Sequence, residues 1–158
     1  MSEDDDWNFI IDENRRWRRE RALSAIMGLA VGDALGAPHE FKPPLPADFE
    51  PTMSGGGVWK PGEWTDDTSM AICILQAWEK HGEFGSEESL DSLVELWVEW
   101  AKTAPDVGIQ TRKVLRNLAE PTAAAARIAA EELHQQTGRT AGNGSLMRTA
   151  PIALIDAE

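Results

Sequence analysis

From Trp17 onward apolar residues return every three or four positions, at Leu23, Ile26, Met27, Ala30, Val31, Ala34 and Leu35. That spacing predicts a helix with one face packed on a core. On the same segment Gly28, Gly32 and Gly36 form a stripe of small residues, each costing about 1 kcal/mol of helix propensity. The stripe would admit a second helix or a ligand at close range, and close helix packing is the plainer reading. A second helix is predicted from near Asp67 through Met70, Ile72, Cys73, Ile74, Leu75 and Trp78, ending before Gly82. It is apolar on most sides and therefore central. Ser86 reads as the N-cap of a third helix, with Glu87 and Glu88 in its first turn and Leu90, Leu93, Val94, Trp97 and Trp100 as its buried face. Pro105 closes that section. Further helices are predicted over about 109–118 and about 122–137, the latter alanine-rich with Gly138 as its stop. The apolar stretch from Met147 to Ile155 fits either another helix with Pro151 in or near its first turn, or a short extended piece.

Nothing in the pattern reads as a run of strands or an internal repeat, so the predicted class is all-α. Residues 1–14 form an acidic tail, and residues 15–158 carry the domain. Between residues 37 and 64 lie six prolines and the Gly55-Gly56-Gly57 run, which predict a long loop of the kind that often carries function.

Composition narrows the partners. The net charge of -12 disfavours a nucleic-acid backbone or an anionic membrane, even though Arg15, Arg16, Arg18, Arg19 and Arg21 cluster at the start of the first helix. Such a cluster reads more simply as side chains paired with carboxylates or facing water. Cys73 is the single cysteine, which rules out an internal disulfide and a multi-cysteine zinc site. No run approaches a membrane span, and Met1-Ser-Glu-Asp-Asp-Asp lacks the features of a signal peptide, so a cytoplasmic location is expected.

Three constellations carry candidate chemistry. In Trp64-Thr65-Asp66-Asp67-Thr68, two adjacent carboxylates and two hydroxyls stand where a Gly/Pro-rich loop enters an apolar helix. Hard oxygen ligands suit magnesium or calcium, and Thr65, Asp66 and Asp67 converge on one ion only if the first two lie in a non-helical entry turn. The same residues also read as an ordinary helix cap. Gly142-Asn143-Gly144-Ser145-Leu146-Met147-Arg148 offers free backbone N–H groups for a phosphate, or is a plain turn. In Gly32-Asp33-Ala34-Leu35-Gly36-Ala37-Pro38-His39-Glu40, Asp33 reads as structural, bonding a neighbouring helix start or loop, and Glu40 is less constrained. His39, His81 and His134 share no metal-binding spacing.

In this order the motifs resemble the ADP-ribosylglycohydrolase family. The matching stretches are Ala25 to Gly36 with Glu40, Trp64 to Met70, Asp106-Val107-Gly108-Ile109-Gln110-Thr111-Arg112, and Gly142 to Arg148. The resemblance implies an all-α domain with a cleft for two magnesium ions, or manganese in their place, and hydrolysis of the glycosidic bond that links ADP-ribose to a modified protein or a small derivative. It implies Thr65, Asp66 and Asp67 as metal ligands, and Glu40 and Asp106 as candidate acids for proton transfer. Ile109 replaces a polar residue of some relatives, which weakens the Asp106 assignment. It further implies Gly142, Asn143, Gly144, Ser145, Met147 and Arg148 as the lining for the diphosphate. Family members are longer and complete the metal site with a later Asp-x-Asp-Thr motif, so the chain is expected to be the N-terminal part of such a domain. Two alternatives follow, a catalytically silent ADP-ribose or nucleotide-binding module and a helical interaction protein, with a second chain or self-association covering the missing half.

Overall fold

The computed structural model describes the backbone of residues 3–155 and the side chains of residues 12–154. Among the described residues there are six α-helices: α1 (Glu3–Gly36), α2 (Asp66–His81), α3 (Glu87–Thr103), α4 (Ile109–Arg116), α5 (Ala123–Thr137) and α6 (Ala150–Ile155), with 3₁₀ turns at Ala37–His39 and Asn143–Ser145. No strand occurs among the described residues, and the all-α class holds. No described helix is long and apolar enough to cross a membrane.

The pair α2 and α3 forms the centre because α2 is apolar on several sides. Cys73, Ile74, Ala77 and Leu93 are buried there, and Phe84, Leu96, Trp97, Trp100 and Ile152 close around them. Burial also raises the Cys73 thiol to about 11, so it is a packing residue rather than a nucleophile at neutral pH. The helix boundaries follow local chemistry. The Ser86 hydroxyl accepts the Ser89 N–H (3.1 Å) and starts α3, while Thr122 accepts the Ala125 N–H (3.2 Å) and starts α5. Gly82 and Gly138 end α2 and α5 in the left-handed conformation, at φ 70° and 60°. Asp91 of α3 also accepts the Ala123 N–H at 2.7 Å, tying α5 to the central pair. The final segment takes the helical alternative, with Pro151 buried in the first turn of α6.

Two expectations for the first helix need correction. It starts at Glu3, well before Trp17, so the acidic stretch is helical where it is described. Its predicted core face is also mostly uncovered: Leu23, Met27 and Val31 are 56%, 60% and 42% exposed, and burial is reached only at Ala34. The helix meets α2 and α6, with burial concentrated near its C-terminal end, and most of its described side chains before Ile26 are exposed. Gly28, Gly32 and Gly36 likewise face open space, so their stripe serves no close packing here. Arg16 pairs with Glu20 along the same helix at 3.0 Å, in line with a solvated charged segment.

The loop before α2 is ordered by a tight return in which Gly56 and Trp59 exchange backbone hydrogen bonds of 2.9 and 3.1 Å. Gly55 has φ 66°, and a Cβ there would lie 2.6 Å from the Trp59 carbonyl oxygen, so only glycine fits.

Candidate active site

Asp33 decides how the acid pair is presented. Its carboxylate accepts the Thr65 N–H on both oxygens (2.9 and 3.0 Å), the Thr68 N–H (3.0 Å) and the Thr68 hydroxyl (2.7 Å). These donors belong to the first turn of α2, where helix N–H groups lack internal partners. A residue from α1 therefore caps α2, giving Asp33 the structural role read from the sequence. Thr65 occupies the N-cap position in extended backbone geometry, yet its side chain makes no capping hydrogen bond. Its hydroxyl instead lies 3.4 Å from Asp66 Oδ1 and 3.3 Å from Asp67 Oδ2. The Thr65 side chain therefore does not cap α2, whose first turn is bonded from outside by Asp33, and its hydroxyl stands near both aspartates.

The acidic cluster extends beyond the motif. The Glu40 carboxyl is held above its usual range by partial burial and then by the charges of Asp66, Asp67, Asp106 and Asp33. Asp67 is raised in the same way, by burial and then by Asp33 and Asp66. Glu40 thus shares a region with both acids of the motif and with Asp106, whose carboxylate also meets Arg112 at 3.6 Å. A group whose pKa is raised in the folded state opposes folding above that pKa and ceases to do so once protonated. Glu40→Gln is therefore expected to raise the melting temperature at pH 7, and to leave it nearly unchanged at pH 4, where the native carboxyl is itself largely protonated. Thermal melts of both proteins at the two pH values check this; an equal shift at both would remove the electrostatic explanation.

The N-terminus of α4 joins the acids to the glycine turn. Asp66 Oδ2 accepts the Gly108 N–H at 3.0 Å, which pulls the Asp106 to Gly108 segment against the start of α2. A methyl group on Gly108 would meet that same oxygen at 3.2 Å. Next along α4, Gln110 Oε1 lies 3.1 Å from the position of a Cβ on Gly142, and Thr111 Oγ1 lies 3.5 Å from one on Gly144. Glycine at these positions allows the turn to lie directly on α4. Gly142, Asn143 and Ser145 are exposed, leaving their polar groups open to a ligand. Arg148, which the resemblance implies as part of the lining, has its guanidinium over the Trp97 ring at 4.4 Å and beside Met70 Sδ at 3.0 Å. Met147 is half-buried.

Among the described residues no group of three or more His, Cys, Asp or Glu side chains is arranged to hold a metal alone. The Thr65 hydroxyl and the two aspartates nevertheless match a hard divalent cation in kind, and the burial and then the neighbouring charges that raise Asp67 are both costs that such an ion offsets. They fall short in number, since magnesium takes about six oxygens and water, substrate or further ligands must supply the rest. The three histidines make contacts of their own: His39 packs edge-on against Phe49, His81 bonds Ser92 and His134 bonds Thr140.

Sequence reasoning missed three features. The Gly108 N–H has no side-chain signal. Trp97 read as a core residue, although its indole N–H donates to the Met70 carbonyl at 3.2 Å and its ring faces Arg148. Phe41, directly after Glu40, is 99% exposed and adopts φ 58°, a conformation costly for a bulky residue.

Comparison with known proteins adds to this geometry. Residues 14–158 match the sequence model of the family described as ADP-ribosylglycohydrolase. The chain is 37% identical over 148 residues to the ADP-ribosylarginine hydrolase Tri1 of Pseudomonas putida (strain GB-1), covering 86% of this chain and 36% of the relative. It is 35% identical over 143 residues to the ADP-ribosyl-[dinitrogen reductase] glycohydrolase of Rhodospirillum rubrum, covering 85% and 44%. A solved structure described as an ADP-ribosylglycohydrolase-related protein complex is similar with TM-score 0.55 and 34% identity, over 86% of this chain and 42% of that one. The chain thus spans roughly two fifths of the length of the proteins it matches.

Proposed function

The chain belongs to the ADP-ribosylglycohydrolase family, and on that footing we propose that it provides the acid half of a magnesium-dependent site hydrolysing the bond between ADP-ribose and a modified protein. The observation that carries this reading is the Thr65 hydroxyl lying near both Asp66 and Asp67, with Asp66 bonded to the Gly108 N–H and so to the helix on which the exposed glycine turn rests. The names of the relatives support an arginine side chain as the acceptor.

Thr65, Asp66 and Asp67 would hold the cation through their side-chain oxygens. When bound, magnesium supplies charge that orients ribose hydroxyls and acidifies water. The protein's own part follows from its geometry. Asp33 and the Gly108 N–H fix the acid pair in place before any ligand arrives, so little order is lost on binding. Breaking the bond at the anomeric carbon builds positive charge on the ribose ring, and the surrounding carboxylates stabilise it. Glu40, with its raised affinity for a proton, can take one from attacking water or give one to the leaving group. Asp106 is the other candidate, with its charge partly engaged by Arg112. The backbone N–H groups of the Gly142 to Ser145 turn are suited to the diphosphate.

Calorimetric titration of the chain with magnesium, with and without ADP-ribose, tests the reading. We expect each ligand to tighten the other, with EDTA abolishing the effect. ADP-ribose binding that survives EDTA and Asp66→Ala would instead favour a silent binding module. One observation favours a different class: the uncovered apolar residues Leu23, Met27 and Val31 of α1 suit a helical interaction protein, which predicts association without binding either ligand.

A further inference from the structure

We propose that Arg148 is a positioning residue that holds the Gly142 to Ser145 turn beside the acid pair, through a seat built by Trp97 and Met70. The inference rests on the reading of this turn as the ADP-ribose diphosphate site and assigns it a support from two other helices.

The seat has three parts. Met70 of α2 is fully buried and offers its sulfur at 3.0 Å from Arg148 Nη1. Trp97 of α3 presents its ring face 4.4 Å from the guanidinium carbon. The indole N–H donates to the Met70 carbonyl at 3.2 Å, so the ring cannot turn without breaking a bond to the α2 backbone. A flat guanidinium matches a flat indole in a way that a lysine ammonium does not.

A cation placed here is costly, and that cost argues for a purpose. Among the described residues no carboxylate forms an ion pair with Arg148, and burial lowers its pKa while the nearby Asp66 charge acts in the opposite sense. An apolar side chain would fill the space between Trp97 and Met70 without that desolvation. The turn needs a tether because its own bonds are local. Leu146 N–H and Met147 N–H return to the Asn143 carbonyl at 2.8 and 3.1 Å, the Leu146 carbonyl accepts the N–H and hydroxyl of Thr149 at 3.2 and 2.9 Å, and Gly142 and Gly144 lie against Gln110 and Thr111; every one of these hydrogen bonds is local to the segment. Arg148 follows within one residue of this closure and fixes it to the helix pair that also carries Asp66 and Asp67.

The test compares Arg148→Gln, Arg148→Lys and the native chain by amide hydrogen exchange and by titration with ADP-ribose and with magnesium. In Arg148→Gln the two hydrogen-bonded amides that close the turn, Leu146 and Met147, are expected to exchange about tenfold faster while those of Leu93 and Val94 do not change. ADP-ribose affinity falls about tenfold and magnesium affinity does not fall. Arg148→Lys, which keeps charge but not the flat fork, lies between. Native-like exchange at the turn in Arg148→Gln would overturn the proposal, as would equal acceleration at the turn and in α3, the mark of a residue that only fills the core. If Arg148→Gln loses its helical circular dichroism, Arg148→Lys decides by the same two criteria. A native chain that binds no ADP-ribose would defeat the functional reading, whereas the exchange result would still judge the seat.

Discussion

Asp33→Ala is expected to lower the free energy of unfolding by about 2–4 kcal/mol, the sum of a lost helix cap and hydrogen bonds to a charged acceptor. The residue supplies no catalytic chemistry in this account. Its removal leaves the N–H groups of Thr65 and Thr68 and the Thr68 hydroxyl without their acceptor, and both threonines are almost fully buried. Water cannot easily replace the carboxylate, so the penalty for unsatisfied donors applies in full. Asp33→Asn retains one acceptor oxygen and should lose roughly half as much. Urea denaturation followed by far-ultraviolet circular dichroism measures both. A change under about 0.5 kcal/mol for Asp33→Ala would mean that α2 is started by something else.

Asp66→Asn combined with Asp67→Asn should have effects of opposite sign on binding and on stability. Magnesium affinity is expected to fall about 100-fold or more, because two of three oxygen donors lose their charge. Stability of the metal-free chain at pH 7 should rise. The Asp67 carboxyl is raised by burial and by the charges of Asp33 and Asp66, so ionisation opposes folding above that pKa, and asparagine removes the opposition. Asparagine at position 66 can still accept the Gly108 N–H, which preserves the link to α4. A site maintained for binding at the expense of folding gives this pairing of signs, and a structural acid cluster does not. Melting temperatures and magnesium titrations of the double variant supply the two readouts; lower stability with unchanged affinity would refute the assignment.

Much of this molecule could be read from the chain because its helices begin and end on local signals. Ser86, Gly82, Thr122 and Gly138 act within a few residues of themselves, and their boundaries appear where the sequence puts them. The buried faces of α2 and α3 follow from periodicity for the same reason. The first helix shows the limit of such reasoning. Its apolar spacing is real, yet periodicity tells only which residues share a face, and nothing described here covers Leu23, Met27 or Val31. The acidic start was opaque in another way, since a polar segment without periodicity joins a helix when it continues one already nucleated.

At the candidate site, residue types were legible and their relations were not. Thr65, Asp66 and Asp67 stand out as hard ligands in any reading. That they are free to act depends on Asp33, more than thirty residues earlier, taking over the cap. The bond from Asp66 to the Gly108 N–H leaves no trace in side-chain identity. The resemblance marks Arg148 as part of the diphosphate lining, and nothing in the sequence shows that its guanidinium rests on Trp97, from a helix about fifty residues away in the chain.

A paramagnetic probe asks most directly whether these groups surround one space. Manganese added in place of magnesium relaxes nearby amide resonances, and its effect falls steeply with distance. The geometry predicts early broadening of Glu40, Thr65 to Thr68, Asp106 to Gly108 and Gly142 to Ser145, with the α5 signals staying sharp. Broadening confined to the acidic N-terminal segment, or sparing the glycine turn while Asp66 and Asp67 disappear, would contradict it.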